Sequence, residues 1–235
     1  MPRTIFLHAG KHKTGSTSIQ HYLADNAELL ANLGLATVEN LFEIFPKRRA
    51  TAVVNCFDIA HCIIRPELNT PIRLRYPEFA APTLEQQRLQ ALRINERLMA
   101  KPGHALIISA EAFSFLRRPS EREIFDLVFQ GFEVRTVLFL RERQDWLESW
   151  KKQTAGAFAQ FGRPVGDVES VFDYEPSSWL ADDASIEAFF QPGCQTLCYE
   201  AAMEKHGSVV PAFLEAIGLD PSECPPWQKY WRNQS

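Results

Sequence analysis

Apolar positions along the chain follow two alternating patterns, short continuous runs and longer stretches with helical spacing. Short runs occur at residues 4–8, 104–109, 134–140 and 195–199, and turn residues bound them, which favours strands. Because helical stretches separate these strands, the sequence predicts an α/β fold with a mainly parallel central sheet covered by helices on both faces. Such folds bind ligands in the crevice at the carboxyl ends of the strands.

Capping residues and glycines indicate where the predicted helices begin and end. Thr83 and Gln86 have the spacing of a capping box, as do Ser120 and Glu123, and Gly34 is a plausible helix stop. The predicted helices cover residues 16–33, 83–100, 120–130, a stretch from about 145, and the segment from the last strand to 217.

Two irregular stretches interrupt this alternation. Residues 40–82 contain five prolines, and residues 162–184 mix glycine, proline, aspartate and serine. We interpret both as insertions in a single domain spanning residues 1–235, because long loops in compact domains often form lids or binding loops. Aromatic residues in and beside these stretches either line an apolar pocket or pack the loops down: Phe42, Phe45, Phe57, Trp179, Phe189 and Phe190.

Composition and charge exclude several classes of protein. The net charge of -4 and pI near 5.9 provide no general field for nucleic acid or an anionic membrane. We expect no membrane span and no secretory signal, and therefore a soluble, cytoplasmic protein. The five cysteines show no paired C-x-x-C spacing, which argues against a disulfide framework or a zinc site. The oligomeric state stays open.

A loop rich in glycine and lysine, residues 10–17, joins the first strand to the first helix. Backbone N–H groups and the helix dipole converge on an anion at such a junction. The loop nearly fits the Walker pattern, but Ser16 follows Gly15 and Lys13 lies two positions before that glycine. A simple polar N-cap is the alternative. Four hydroxyl side chains add donors to the backbone amides: Thr14, Ser16, Thr17 and Ser18.

Residues 13–17 resemble the first loop of the sulfotransferases that use 3′-phosphoadenosine 5′-phosphosulfate (PAPS), a loop with a Lys-[ST]-Gly-[ST]-[ST] core. The match covers all five positions, and the wider segment 6–20 resembles the bacterial branch of the family. The resemblance implies a P-loop-like three-layer sandwich. It also implies that Lys13 binds the 5′-phosphosulfate and stabilises the leaving oxygen, while residues 14–18 wrap the phosphate.

A second candidate for phosphate binding follows the predicted strand 134–140. Arg141 stands at the strand end, and Ser149 lies eight residues later in the next helix. Both would face the crevice of the first loop, where an arginine can grip a phosphate bidentately. An ion pair between Arg141 and Asp145 with a solvated Ser149 is the alternative, and Arg143 is interpreted as solvated or ion-paired. Sulfotransferases have an Arg and a Ser at this spacing, and the resemblance implies that this pair binds the 3′-phosphate.

Tyr199 and Glu200, at the end of the last strand, resemble the Tyr-Glu element of the family. The resemblance implies that the tyrosine contacts the adenine, although a core tyrosine fits the sequence equally well. The chain lacks the later basic, glycine-containing loop with which the family also binds the 3′-phosphate. Arg232 is a candidate substitute for that loop.

Sulfuryl transfer requires a base that removes the acceptor proton. Glu111 follows the strand 104–109, and its position resembles the place where sulfotransferases have a catalytic His or Glu. We therefore select Glu111, with His12 and His8 as reserve candidates. A plain helix N-terminal residue is the alternative for Glu111. If Glu111 is the base, partial burial should raise its pKa toward neutrality.

The resemblance implies that PAPS is the donor and 3′-phosphoadenosine 5′-phosphate (PAP) the product of in-line transfer. The acceptor would be a hydroxyl or amine of a small metabolite, carbohydrate or lipid, and no metal is expected. Two other functions stay open. One is a P-loop kinase or NTPase in which Ser16 or Thr17 ligates magnesium. The other is a non-catalytic nucleotide-binding module that recognises a protein partner.

Overall fold

The computed structural model describes most of the chain. The described residues are 2–39, 41, 54–70, 72–73, 82–161, 171–172 and 174–230, with the backbone alone described at 157–161. Much of the two predicted insertions therefore lies outside the described residues, as do Phe42, Phe45 and Arg232.

The described strands form one parallel sheet in the order β2-β3-β1-β4-β5. The strands are β1 (Arg3–His8), β2 (Leu35–Thr37), β3 (Ala105–Ser109), β4 (Phe132–Leu140) and β5 (Cys194–Cys198). This arrangement confirms the predicted α/β fold with a parallel sheet. The edge strand β2 was not predicted, because its three partly buried residues are too short a pattern to distinguish from a loop.

Helices connect the strands and cover both faces of the sheet. They are α1 (Ser16–Asp25), α2 (Ala27–Asn32), α3 (Phe57–Ile63), α4 (Leu84–Met99), α5 (Pro119–Val128), α6 (Arg143–Phe161), α7 (Asp183–Phe190), α8 (Tyr199–His206) and α9 (Val209–Ala216). Short 3-10 turns lie at Glu111–Phe115, Trp179–Ala181, Pro221–Glu223 and Gln228–Tyr230. None of the described helices is both long and apolar enough to cross a membrane.

Alternating side chains of the buried strands supply two separate hydrophobic cores. Ile5 and Leu7 of β1 pack on one face beneath α3, α4 and α5, whereas Phe6 packs on the other face with α1, α8 and α9. This period of two is what a strand dictates, since successive side chains point to opposite faces. The result is a three-layer α/β/α sandwich whose loops after β1, β3 and β4 are free to form a site.

Two predicted helices are each divided in the structure. The helix predicted over 16–33 breaks at Asn26, where the side-chain amide donates to the Tyr22 carbonyl oxygen at 2.8 Å. The last predicted helix breaks at Gly207, which has a φ of 67° and ends α8. Asn and Gly are favourable at such ends, but one isolated residue of either type is a weak signal inside a longer apolar pattern.

The predicted capping box of Ser120 and Glu123 is wrong, because a different glutamate caps α5. The Glu121 Oε2 atom accepts from the backbone N–H groups of Arg117 and Arg118, at 2.7 and 2.9 Å. Its Oε1 atom accepts from the backbone N–H and the guanidinium of Arg65, both at 2.9 Å. A fully buried carboxylate thus joins α5 to the described part of residues 40–82.

Trp179 completes this contact between the two irregular stretches. Its indole packs against two guanidinium groups, with the Cζ atoms of Arg65 and Arg117 4.8 and 5.0 Å from the ring centroid. We call Arg65, Arg117, Glu121 and Trp179 the anchor cluster. It fixes residues from both predicted insertions against α5 and therefore against the sheet.

Candidate active site

The sheet register brings the ends of three strands to one edge. In the parallel pairings of β1, His8 lies opposite Ser109 of β3 and opposite Val137 of β4. The loop after His8, Glu111 after β3 and Arg141 after β4 consequently emerge side by side. The predicted crevice at the carboxyl ends of the strands is therefore where the sequence candidates meet.

The backbone of the loop after β1 curls tightly before α1 begins. Lys13 and Gly15 both have left-handed backbone conformations, with φ values of 67° and 82°. The Thr14 N–H donates to the Lys11 carbonyl oxygen at 3.2 Å, and the Thr14 hydroxyl donates to the same oxygen. A Cβ atom at Gly15 would lie 2.7 Å from Val209 of α9. This position therefore needs glycine both for its φ value and for its space.

The two lysines of the loop have different environments. The Lys11 ammonium is buried, 2.6 Å from the Asp183 carboxylate and 3.7 Å from the Trp146 ring centroid. Burial lowers the pKa of Lys11, and the Asp183 carboxylate opposes that shift. Lys13 is partly buried and pairs with no carboxylate among the described residues. The charge of Lys11 is therefore balanced by Asp183 within the protein. Lys13 is then the lysine of the loop that can pair with an anionic ligand.

The hydroxyl residues of the loop differ in exposure. Thr14, Ser16 and Ser18 are buried, whereas the Thr17 side chain is exposed on the outer side of α1. The Ser16 Oγ atom is buried and makes no hydrogen bond of good geometry with a described residue. An orphaned hydroxyl at the start of a helix is a ready donor to an anion.

Beneath the loop, His8 belongs to a buried polar network. Its Nδ1 atom lies 2.8 Å from the Ser109 hydroxyl. The oxygen of that hydroxyl accepts a hydrogen bond from the Gln20 side-chain amide at 3.3 Å. The ring has no exposed surface, and burial lowers the pKa of His8 to about 3. His8 therefore stays neutral, and its position under the loop does not face an acceptor.

Arg141 joins the second candidate element to the loop. Its Nη1 atom donates to the Ser149 hydroxyl at 3.1 Å and to the Lys13 carbonyl oxygen at 3.4 Å. The guanidinium carbon lies 5.1 Å from the Tyr199 ring centroid. The nearest carboxylate is that of Glu200, 3.8 Å from the Nε atom, in place of the alternative ion pair with Asp145.

Glu111 lies at the start of the turn after β3, next to His12. The Glu111 Oε2 and His12 Nε2 atoms are 3.6 Å apart, and the Glu111 side chain is 23% exposed. Burial raises the pKa of Glu111 from 4.5 to about 7, opposed by the Lys13 ammonium and the Ser16 hydroxyl. Burial also lowers the pKa of His12 to about 3. Near neutral pH, Glu111 can therefore exchange a proton whereas His12 stays uncharged.

The chain matches no protein-family model and no curated protein sequence. Its structure is similar to that of a sulfotransferase from Alicyclobacillus acidocaldarius, with a TM-score of 0.53 and 14% identity over 97% of this chain and 86% of that chain. The chain has the sulfotransferase fold. A sulfotransferase domain from the curacin biosynthetic pathway gives a TM-score of 0.49 at 12% identity, covering 99% of this chain and 79% of that chain.

One departure from the expected sulfotransferase pattern persists in the structure. The described C-terminal segment packs against the far end of α1, where Lys229 pairs with Asp25 at 3.2 Å and the Tyr230 hydroxyl donates to the same carboxylate. This segment therefore supplies no basic loop to Arg141 up to residue 230. Within the described ranges, no three His, Cys, Asp or Glu side chains are grouped to hold a metal ion.

Sequence reasoning missed several residues of this sulfotransferase-fold site. Asp183 neutralises Lys11, and Ser109 holds His8. Asn55 lies next to the end of β3, since the following amide, Cys56 N–H, donates to the Ser109 carbonyl oxygen at 2.7 Å. None belongs to a local motif. Only pairing across distant segments reveals them.

Other aromatic candidates pack away from the loop. Phe189 and Phe190 are buried against Phe125 of α5, with ring centroids 5.6 and 6.0 Å from it. Phe57 lies on α3 with its ring 6.4 Å from that of His61. These rings stabilise the helices of the sulfotransferase fold in the described structure.

Proposed function

We propose that this protein is a PAPS-dependent sulfotransferase. The observation that carries the proposal is the contact of Arg141 with both Ser149 and the Lys13 carbonyl oxygen, which supports a shared crevice for the two candidate phosphate-binding elements. A nucleotide with phosphate groups at both its 5′ and 3′ positions matches such a pair of elements. The sulfotransferase fold supports the same conclusion.

The residues present fit such a nucleotide. Lys13 and the backbone amides at the start of α1 would hold the 5′-phosphosulfate, with the orphaned Ser16 hydroxyl as a further donor. The other contacts of the loop would come from Thr14, Gly15, Thr17 and Ser18. Arg141 and Ser149 would hold the 3′-phosphate, and the Tyr199 ring beside Arg141 offers an apolar face to the adenine.

Glu111 would act as the base. Its raised pKa, about 7, gives a carboxylate that is ionised in a large fraction of molecules at neutral pH and is still basic enough to take a proton. PAPS supplies a sulfuryl group bonded to a good leaving group. As the acceptor oxygen or nitrogen bonds to sulfur, Glu111 takes the acceptor proton, and the Lys13 ammonium stabilises the charge on the departing phosphate oxygen.

We propose a hydroxyl or an amine as the acceptor group, because each can give up a proton to Glu111 during transfer. The acceptor would be a small metabolite, a carbohydrate or a lipid. Residues near the crevice from the two irregular stretches would select among these acceptors.

Calorimetry with the full chain tests the proposal. We expect PAP to bind in the absence of magnesium and to bind more tightly than AMP, which lacks the 3′-phosphate. Magnesium-dependent binding of ATP or GTP with no affinity for PAP would replace the proposal with a kinase or NTPase. Tight PAP binding without sulfuryl transfer to any of a panel of alcohols and amines would instead indicate a non-catalytic module.

A further inference from the structure

One nitrogen of His8 has no role in the fold that its contacts explain. The Nδ1 side of the ring is bonded to Ser109, and the ring edges lie against Phe139 and Phe213, with centroids 5.9 and 5.5 Å away. The Nε2 atom is buried and has no hydrogen-bond partner among the described residues. A buried imidazole nitrogen without a partner carries a desolvation cost that no contact in the fold repays.

The unpartnered nitrogen points at the phosphate loop. A Cβ atom at Gly10 would lie 2.6 Å from His8 Nε2, 3.0 Å from Ser16 Oγ and 3.1 Å from Thr14 Oγ1. The three polar atoms therefore surround one small space, and Gly10 keeps that space open because it has no side chain. His8 Nε2 and Ser16 Oγ are both buried and both lack a hydrogen bond.

The neighbouring hydrogen bonds determine which nitrogen carries the ring proton. Gln20 donates to the Ser109 hydroxyl oxygen, so the Ser109 hydrogen is available to His8 Nδ1. The Thr14 hydroxyl hydrogen is used on the Lys11 carbonyl oxygen, so Thr14 presents only oxygen lone pairs to the space. Both conditions favour the neutral tautomer with the proton on Nε2.

We infer that His8 is a positioning residue for the phosphate loop, whose Nε2–H group faces the Ser16 and Thr14 hydroxyl oxygens across the space at Gly10 and donates to one of them when a phosphate is bound. A loop hydroxyl whose oxygen accepts a hydrogen bond from His8 below the loop directs its own hydrogen to the other side, toward the bound phosphate. The inference rests on the proposed function for the identity of that phosphate. His8 touches neither nucleotide nor acceptor, so its effect on transfer passes through the loop hydroxyls.

Nitrogen-15 NMR of the histidine rings in the full chain tests the tautomer directly. We expect His8 to show a protonated Nε2, an unprotonated Nδ1 and no titration between about pH 5 and pH 8. Adding PAP should shift the Nε2 resonance of His8. It should leave His104, exposed at the opposite edge of the sheet, unchanged. A proton on Nδ1 overturns the inference whether or not PAP binds.

Two amide substitutions at His8 test the contributions of its two ring nitrogens separately. The His8→Gln amide reaches the level of Nε2, whereas the shorter His8→Asn amide reaches only the level of Nδ1 and Ser109. We expect PAP affinity and turnover to stay within about threefold in His8→Gln and to fall about tenfold in His8→Asn, the value of one hydrogen bond. Equal losses in the two variants, or a larger loss in His8→Gln, would contradict the inference.

These experiments distinguish a failure of the proposed function from a failure of the inference about His8. If wild-type protein fails to bind PAP, the proposed function is wrong, and the tautomer of His8 still decides the inference. Thermal unfolding of both variants identifies any general loss of the fold. If His8→Asn does not fold, the wild-type NMR measurement retains its power to overturn the inference.

Discussion

Two buried polar clusters of this molecule differ in how fully the carboxyl group of each is paired. In the anchor cluster, both Glu121 oxygens accept hydrogen bonds from backbone and guanidinium groups. In the second cluster, which we call the loop cluster (His8, Lys13, Ser16 and Glu111), two buried polar atoms have no hydrogen-bond partner among the described residues.

The difference separates stability from function. Buried polar groups are normally paired, because an unpaired one costs the desolvation it does not recover. The anchor cluster pairs its carboxylate fully and fixes segments that are distant in sequence, although Arg117 Nη2 and Trp179 Nε1 have no hydrogen-bond partner among the described residues. The loop cluster leaves the Glu111 carboxyl with His12 at 3.6 Å, beside Lys13 and two unpartnered atoms, which is the arrangement expected where a ligand completes the pairing. The predictions below test this contrast, from the largest expected effect to the smallest.

Glu121→Ala should destabilise the fold most. The change leaves Arg65 with an uncompensated buried charge and the backbone N–H groups of Arg65, Arg117 and Arg118 without their acceptor, at a cost of about 3–5 kcal/mol in the free energy of unfolding. Urea unfolding measures this loss. The matched control is Glu123→Ala, whose exposed carboxylate pairs with the exposed Arg88, and which should cost less than about 1 kcal/mol. Equal losses of unfolding free energy in the two variants would contradict the structural role of the anchor cluster.

Lys13→Ala should lower turnover about 100- to 1,000-fold, because the charge on the departing phosphate oxygen loses its nearest cation. Stability should change by less than about 0.5 kcal/mol, since Lys13 supports no described side chain. Steady-state kinetics and PAP calorimetry separate the effects. Lys152→Ala, at an exposed position of α6, is the control. A fall in PAP affinity with unchanged turnover would refute the leaving-group role.

Glu111→Gln should lower turnover about 100-fold and remove the pH dependence near neutrality. Wild-type turnover should rise as the pH increases through about 7, because only the ionised carboxylate accepts a proton. The same shift predicts that wild-type stability falls between pH 4.5 and about 7. The glutamine variant should consequently be more stable than wild type at pH 8, by up to about 3 kcal/mol.

Turnover profiles and urea unfolding at pH 5 and pH 8 provide both measurements for Glu111→Gln. A variant that retains the wild-type pH profile would exclude Glu111 as the base. A variant that is less stable than wild type at pH 8 would show that Glu111 belongs with the structural cluster.

Arg141→Ala should have the smallest but most specific effect. PAP binding should weaken about tenfold more than AMP binding, because the charge-assisted hydrogen bonds to the 3′-phosphate are lost. Competition calorimetry measures the ratio. Arg143→Ala, at an exposed position two residues later, should leave that ratio unchanged. Equal weakening of both nucleotides by Arg141→Ala would contradict the 3′-phosphate assignment.

The sequence predicted the sheet and the loop better than the helix boundaries. Strong periodic runs made β1, β3, β4 and β5 recognisable. The short edge strand β2 and the breaks at Asn26 and Gly207 were missed, because single residues carried those signals. The cap of α5 was assigned to Ser120 and Glu123, whereas Glu121 accepts from the N–H groups of Arg117 and Arg118. Its second oxygen accepts from Arg65, 56 positions away, a contact that no local pattern indicates.

The same limit applies to the candidate site. Local motifs placed Lys13, Arg141 and Glu111 at neighbouring strand ends, and the register of the sheet brings those strand ends together. Sequence alone could not assign Lys11 to Asp183, 172 positions away. It also gave no reason to place His8 beneath Ser16, because that relation depends on the missing side chain of Gly10.

The packing of Trp179 against Arg65 and Arg117 has a practical consequence for redesign. Exchanging one irregular stretch for that of another protein with the sulfotransferase fold would separate the Trp179 indole from the Arg65 guanidinium and loosen the other stretch. Acceptor range should therefore be engineered by transplanting both stretches together with the start of α5, as one interchangeable cassette.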